Sequence, residues 1–226
     1  MERIAMETIA AVQNIEEQKK ITEYFIEPEI PTRKPVYSFL KRAGDIMVSL
    51  GAGLLLLIPM GVIAVLIRLD SKGPALFKQE RLGKNGKSFY MYKFRSMHID
   101  AEKDGPKWAD QNDDRCTRLG KLLRKCRLDE LPQLWNIFVG HMSIVGPRPE
   151  RPFFYDEFET YIHGFRHRLA VQPGLTGLAQ VNGGYDLEPE EKIVYDMRYI
   201  EERSLWMDLK IMFKTVSLLF SHEGAR

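Results

Sequence analysis

The chain is short of several things. It has two cysteines in 226 residues, Cys116 and Cys126, ten apart and in no CxxC, so neither a disulfide framework nor a zinc site is indicated. It has little charge of either sign in excess. Lys plus Arg is 33 against 31 Asp plus Glu, a net charge of +2, which excludes a protein that holds nucleic acid by bulk charge alone. Mean hydropathy is -0.29, which excludes a bundle of membrane helices. With 44% hydrophobic and 28% charged residues, the composition is that of a folded domain, not a disordered chain. The length suits one domain, or one domain with an appendage.

One run stands out against that average. Ile46 to Ile67 reads IMVSLGAGLLLLIPMGVIAVLI, 22 residues without a charge, between Asp45 and Arg68. That reaches the roughly 20 residues needed to cross a bilayer. A charged lead precedes it and no small-residue cleavage pattern follows, so it is not a cleavable signal peptide. Both flanks are basic: Arg33, Lys34, Lys41 and Arg42 before it, Arg68, Lys72, Lys78, Arg81, Lys84 and Lys87 after it. Positive residues mark the cytoplasmic side of a span, so a straight crossing puts one cluster on the wrong side. Pro59 breaks the run, with Gly51, Gly53 and Gly61 nearby. A helix that enters one leaflet, breaks and leaves by the same face satisfies both facts, and is favoured over a bitopic span or a dry core helix.

Residues 1–35 carry a net −2 and end in Pro28, Pro31 and Pro35, which reads as an extension and linker with a weak helix over 8–26. The re-entrant segment is expected over 36–70 and a cytosolic domain over 71–226. In that domain, Asn85-Gly86 between ALFKQERLG and KSFYMYKFRSM predicts a β-hairpin. The nearby GKNGKS is no P-loop, because Arg81 stands where the first glycine is needed. Lys93 and Arg95 share one strand face and Tyr90, Tyr92 and Phe94 the other. The two cations suit a diphosphate or a solvated edge equally. A polar, irregular stretch AEKDGPKWADQNDDR follows. Leu119, Leu122, Leu123 and Cys126 then mark one helix stripe, and Leu131, Leu134, Trp135 and Phe138 a second. Near the C-terminus Leu209, Met212, Phe213, Val216 and Phe220 form another, on a helix lying on a membrane surface or packed in a core.

Between the first two helices, Asp129 and Glu130 are adjacent carboxylates, with Pro132 expected in the first turn and Asp129 as N-cap. Taken alone the pair reads as a cap. In the company of Arg124, and of Arg148 held between Pro147 and Pro149, it reads as a phosphate-handling site. An ionised carboxylate can attack phosphorus, and its neighbour can hold Mg²⁺. His163 and His167 lack the glutamate of a zinc protease. The glycine-rich QPGLTGLAQVNGG either cradles a nucleotide or turns the chain.

KRAGDI, the proline-broken run, YKFRSM, RLDELPQLWNIF, MSIVGPRP, PGLTGLAQVNG and DLKIMFKT, in this order over about residues 38–220, resemble the bacterial monotopic phosphoglycosyl transferases, also called bacterial sugar transferases. The resemblance implies an α+β fold: a monotopic membrane protein with a re-entrant helix broken at Pro59 and a small cytosolic domain with a β-hairpin and amphipathic interfacial helices. It implies transfer of a sugar 1-phosphate from a UDP-sugar to polyprenyl (undecaprenyl) phosphate, with release of UMP, initiating exopolysaccharide, capsule or other surface glycan synthesis. Asp129 is the implied nucleophile and Glu130 the implied Mg²⁺ ligand. Lys93, Arg95, Arg124, Pro147, Arg148 and Asp208 occupy substrate-binding or supporting positions. Partners are the UDP-sugar, polyprenyl phosphate and the membrane, with no nucleic acid and a homodimer left open. The location implied is the cytoplasmic face of the bacterial inner membrane. Three residues depart from the pattern: Ile58 replaces a serine, His141 an aspartate and Gly184 an arginine. The alternative reading is a catalytically silent, membrane-anchored interaction protein of a glycan-assembly complex.

Overall fold

A computed structural model describes residues 23–26, 34–103, 113–184 and 187–221. Much of the lead, and the helix expected over 8–26, lies outside these residues. The described part of that span corrects it: Tyr24–Phe25 is a short strand, β1.

Helix α1 (Pro35–Leu55) runs into α2 (Leu57–Asp70) across a bend of 62°. No single helix among the described residues is long and apolar enough to cross a membrane, but this bent pair passes by length and composition together. The bend falls at Leu56, just N-terminal to Pro59. Proline has no N–H for the carbonyl four residues back, and its ring clashes there. The pair is not a dry core helix. Leu55 and Ile58 at its tip are 80% and 79% exposed, and α2 buries only Ile67.

Strands β2 (Leu76–Leu82) and β3 (Ser88–Phe94) form the expected antiparallel hairpin, Leu76 opposite Phe94 and Leu82 opposite Ser88. Asn85 and Gly86 take positive φ, 59° and 73°, within a 3₁₀ turn over Lys84–Gly86. Phe89 and Met91 are buried. By alternation Lys93 continues their row, so the core face of β3 ends in a cation.

Helix α3 (Arg118–Lys125) is capped by Thr117, whose side chain accepts from Gly120 N–H. A Cβ on Gly120 would lie 1.9 Å from the Ser96 carbonyl oxygen, so this glycine lets α3 close on the end of the hairpin. Only part of the expected stripe is core: Leu123 is buried, whereas Leu122 and Cys126 are exposed. Helix α4 (Gln133–Val139) keeps only half of its expected stripe: Leu131, just before it, and Leu134 pack against the core. Gln133, Asn136 and Ile137 are inside, while Trp135 and Phe138 point out. The reason for Asn136 is local. Its amide donates to Tyr90 O at 2.7 Å and accepts from Tyr92 N–H at 3.0 Å, which satisfies the free edge of β3.

Strand β4 (Ser143–Val145) precedes α5 (Pro152–Glu159), then β5 (Ile162–His163), which pairs parallel with β1. Gly164 (φ 97°) and a 3₁₀ run Phe165–Ala170 follow, so His163 and His167 share no helix face. Strand β6 (Gly174–Thr176) pairs parallel with β4. The glycines of the two segments meet backbone to backbone: a Cβ on Gly174 would lie 2.1 Å from Gly146 N, and one on Gly177 2.2 Å from Gly146 O. The glycine-rich stretch therefore serves a chain crossing.

Short α6 (Leu178–Val181), α7 (Pro189–Glu202) with a Glu188/Glu191 capping box, and α8 (Leu205–Ser221) complete the fold. Tyr155, Phe158, Ile162, Phe165, Ile193, Tyr199, Ile200 and Ile211 form the main core. On α8 the inner face is Asp208 and Ile211. Leu209, Phe213 and Val216 of the expected stripe are exposed beside Trp206, while Met212 packs inward and the Phe220 side chain lies outside the described residues.

Candidate active site

Asp129 and Glu130 sit in a 3₁₀ turn, Leu128–Glu130, between α3 and α4. Arg127 before them takes a left-handed conformation (φ 53°), and the coil continues in i→i+3 bonds, Glu130 N–H to Arg127 O and Leu131 N–H to Leu128 O. Asp129 is thus no N-cap: α4 starts at Gln133 with Pro132 in the cap position and no side-chain cap. The turn places both carboxylates indoors, Asp129 8% and Glu130 9% exposed.

Their surroundings differ. Glu130 is clasped: Arg148 Nη2 donates to its Oε1 at 2.5 Å, and Lys93 Nζ lies 3.5 Å from the same oxygen. Burial alone raises a carboxyl, but Arg148 and Lys93, with Arg127 behind them, outweigh it and hold Glu130 well below the usual range. The Asp129 carboxylate accepts no hydrogen bond among the described residues and lines a cavity of about 660 Å³. Burial, then the Glu130 charge, pushes its carboxyl up to about 6, against the opposing pull of Lys93, Arg148 and Arg124. One carboxylate stays charged and held; the other faces the cavity bare.

The cavity wall also carries Arg124, Arg127, Arg151, Arg168 and Lys192, so lysines and arginines outnumber carboxylates on it. Arg124 Nη1 donates to Cys116 Sγ at 2.9 Å. Pro147 contributes backbone, its carbonyl accepting from Gly174 N–H at 2.9 Å, and so fixes the approach of Arg148. Gly184, one of the three departures, lines the same wall; His141 packs against Phe89, with ring centroids 5.6 Å apart.

Two of the expected residues make their hydrogen bonds away from the carboxylate pair. Arg95 borders the cavity, but its guanidinium turns into the end of α2. It donates to Lys72 O at 2.5 Å, to Ser71 O at 2.7 Å and to Ile67 O at 3.3 Å. It does not join Lys93 on a common diphosphate face, because helix-end carbonyls claim its fork. Asp208 lies off the cavity wall. It accepts from Lys41 at 2.8 Å, Tyr37 at 3.0 Å and Tyr199 at 2.8 Å, tying α8 to α1.

Some residues that shape the site escape sequence reasoning. Arg168 and Asp196 form a fully buried ion pair at 2.7 Å, and Arg168 also donates to Arg148 O at 2.9 Å. No pattern in the sequence joins positions 28 apart. Asp45 accepts from Ser143 Oγ and Ile144 N–H. Its signal was available, as the one acidic residue of KRAGDI and the last charge before the apolar run.

The family model for bacterial sugar transferases matches residues 36–222, nearly the whole described region. This chain belongs to that family. As a bacterial sugar transferase it is 44% identical over 195 residues to the UDP-N-acetylgalactosamine-undecaprenyl-phosphate N-acetylgalactosaminephosphotransferase of Aeromonas hydrophila, covering 85% of this chain and 46% of that protein. It is 42% identical over 195 residues to the UDP-glucose:undecaprenyl-phosphate glucose-1-phosphate transferase of Escherichia coli K12, covering 84% and 42%. It is 44% identical over 189 residues to the exopolysaccharide production protein PSS of Rhizobium leguminosarum bv. phaseoli, covering 78% and 93%. The chain thus spans less than half the length of the first two relatives and nearly all of the third.

Proposed function

We propose that this bacterial sugar transferase moves a sugar 1-phosphate from a UDP-sugar to polyprenyl (undecaprenyl) phosphate, as the first step of exopolysaccharide, capsule or other surface glycan assembly. The observation that carries the reading is the asymmetry of the carboxylate pair: Asp129 bare in the cavity, Glu130 locked by Arg148 and Lys93. The names of the relatives supply the donor and acceptor classes.

In the first step an Asp129 carboxylate oxygen attacks the phosphorus that bears the sugar. A new P–O bond forms, the P–O bond to the UMP phosphate breaks, and UMP leaves with the bonding pair. Lys93, Arg124 and Arg148 offset the donor's negative charge, and Arg148 brings a planar fork suited to phosphate oxygens. In the second step an oxygen of polyprenyl phosphate attacks the same phosphorus and expels Asp129 as carboxylate. The product is a polyprenyl diphosphate sugar.

The residues fit one magnesium ion. Glu130 keeps Oε2 only loosely engaged, by Arg148 Nη1 at 3.5 Å, and Asp129 offers a second hard oxygen donor beside the cavity. Mg²⁺ is content with one or two carboxylates plus substrate phosphate oxygens. Glu130, with Asp129 beside it, would hold the ion; when bound it supplies charge screening for the diphosphate and the departing UMP.

The same reading seats the protein on the cytoplasmic face of the bacterial inner membrane. The bent α1–α2 pair dips into one leaflet, and Trp135, Phe138, Trp206, Leu209 and Phe213, all exposed apolar side chains, lie at the interface. The test is a mass-spectrometric trap. Incubation with a UDP-sugar but no acceptor leaves a sugar-phosphate adduct on the Asp129 peptide and releases one equivalent of UMP, and Asp129→Asn abolishes both. Turnover by Asp129→Asn at the wild-type rate overturns the assignment.

A further inference from the structure

Both limbs of the bent helix pair are held by polar ties, Arg42 of α1 on the carbonyls of Ile137 and Phe138 among them, and two of these ties lead to different strands. On α1, Asp45 is 6% exposed, and its Oδ1 accepts from Ser143 Oγ at 3.1 Å and from Ile144 N–H at 3.0 Å. Both donors belong to β4, and Arg148 follows shortly after that strand. On α2, the last carbonyls are gathered by Arg95, itself 6% exposed, which directly follows β3 and stands two residues past Lys93. Lys93 and Arg148 are the two cations on Glu130. One path runs from α1 through Asp45 and β4 to Arg148. The other runs from α2 through Arg95 and β3 to Lys93. They close on one carboxylate.

Stability is a poor reason for such anchors. A buried charge is expensive to desolvate, and well-packed apolar side chains of similar volume serve a core as well or better. What a fixed acceptor and a forked donor add is direction: each holds one helix limb at one register on one strand. The strands can transmit it. The backbone crossing at Gly146 and Gly174 leaves no slack after β4, and Asn136 fixes the free edge of β3 beside Lys93. A second tie, Lys41 to Asp208 with Tyr199 OH on Val145 O at 3.2 Å, pulls α1 toward the same strand.

We propose that Asp45 and Arg95 are positioning residues for phosphoryl transfer: through them the seating of the bent helix pair sets where Arg148 and Lys93 stand around the carboxylate pair. The inference rests on the function proposed above.

Its test uses the full chain in lipid nanodiscs, with two readouts. The first is the single-turnover rate constant of adduct formation, separated from the UDP-sugar concentration giving half the maximal rate. The second, which needs no turnover, is hydrogen exchange of the 127–131 turn, to which neither anchor side chain hydrogen-bonds. Asp45→Leu and Arg95→Met lower the rate constant about tenfold or more, since small misplacements of reacting groups cost heavily. The half-saturating concentration moves less than about threefold, as expected when transition-state rather than uniform binding is lost. Asp45→Asn keeps an acceptor oxygen and stays within about threefold of wild type on the same measure. Exchange in the 127–131 turn speeds up in Asp45→Leu and Arg95→Met while exchange in α7 does not. Arg95→Lys, the milder change, gives a smaller shift in the same direction. Wild-type rate constants in Asp45→Leu and Arg95→Met overturn the proposal, as does exchange that is unchanged in the turn or raised equally in α7. A wild-type protein that forms no adduct fails the functional reading instead, and the exchange pattern alone then decides the coupling.

Discussion

Arg148 and Glu130 meet at 2.5 Å, and that contact sets two neighbouring carboxylates apart. With Lys93 on the same oxygen, Glu130 keeps its charge and its place, while Asp129 is left facing the cavity.

Arg148→Ala removes the clasp and lets the two carboxylates compete for one proton. Adduct formation is expected to fall on the order of 10²-fold, the usual cost of losing an electrostatic stabiliser. Arg148→Lys keeps the charge without the fork and loses about tenfold. Single-turnover UMP release measures both, and equal rates in the two variants would show that geometry contributes nothing.

Burial and Glu130 raise the Asp129 carboxyl to about 6. On the proposed mechanism the Asp129 carboxylate attacks phosphorus, so adduct formation weakens as pH falls and the group takes up a proton. In magnesium-free buffer, carbodiimide labelling of the protonated carboxyl runs the other way, strong below the midpoint and fading above it. A labelling midpoint near the ordinary aspartate value of about 4 contradicts the assigned environment.

Chelation with EDTA should stop adduct formation, and added Mg²⁺ should restore it. Glu130→Gln is expected to raise the Mg²⁺ concentration needed for half-maximal rate about tenfold or more, since a charged oxygen donor is lost. An unchanged Mg²⁺ titration in that variant removes Glu130 from the metal.

Arg168 and Asp196 are both almost fully buried, 3% and 1% exposed. Arg168→Met or Asp196→Leu strands the partner charge and should cost about 3–5 kcal/mol of stability, whereas the double variant recovers much of it. Denaturant melts in detergent check the cycle. Full additivity of the single changes would mean that the pair does not interact.

Pro59→Ala returns an N–H to the Leu55 carbonyl and removes the ring that opens the bend. The 62° angle should relax toward one continuous helix. A membrane-impermeant thiol reagent, applied to cysteines placed at positions 34 and 72, then reaches them from opposite sides in part of the population. Unchanged same-side labelling shows that the bend has another cause.

Much of this molecule is legible before folding. The long uncharged run with its proline, and Asn-Gly between two β-prone segments, each carry their own local physics, and both elements appear where that physics puts them. The faces of the helices were harder. A stripe of apolar side chains says that a face is covered, but not by what. Trp135 and Phe138 on α4, and Leu209, Phe213 and Val216 on α8, look outward, while Gln133 and Asn136 go in. Asn136 is buried because a strand edge needs an acceptor and a donor at one place, which no periodicity reveals. Arg95 departs from a shared diphosphate face with Lys93 for another reason. Alternation along a strand fixes the direction of Cβ, yet a guanidinium several bonds further on goes to the nearest uncapped carbonyls.

The contact of Gly146 with Gly174 and Gly177 has a practical side for redesign. No methyl fits between those backbones, so the segment that delivers Arg148 is a fixed chassis rather than a dial. Redesign of the cavity belongs instead at Gly184 and residues 98–103, which line it and take no part in that crossing.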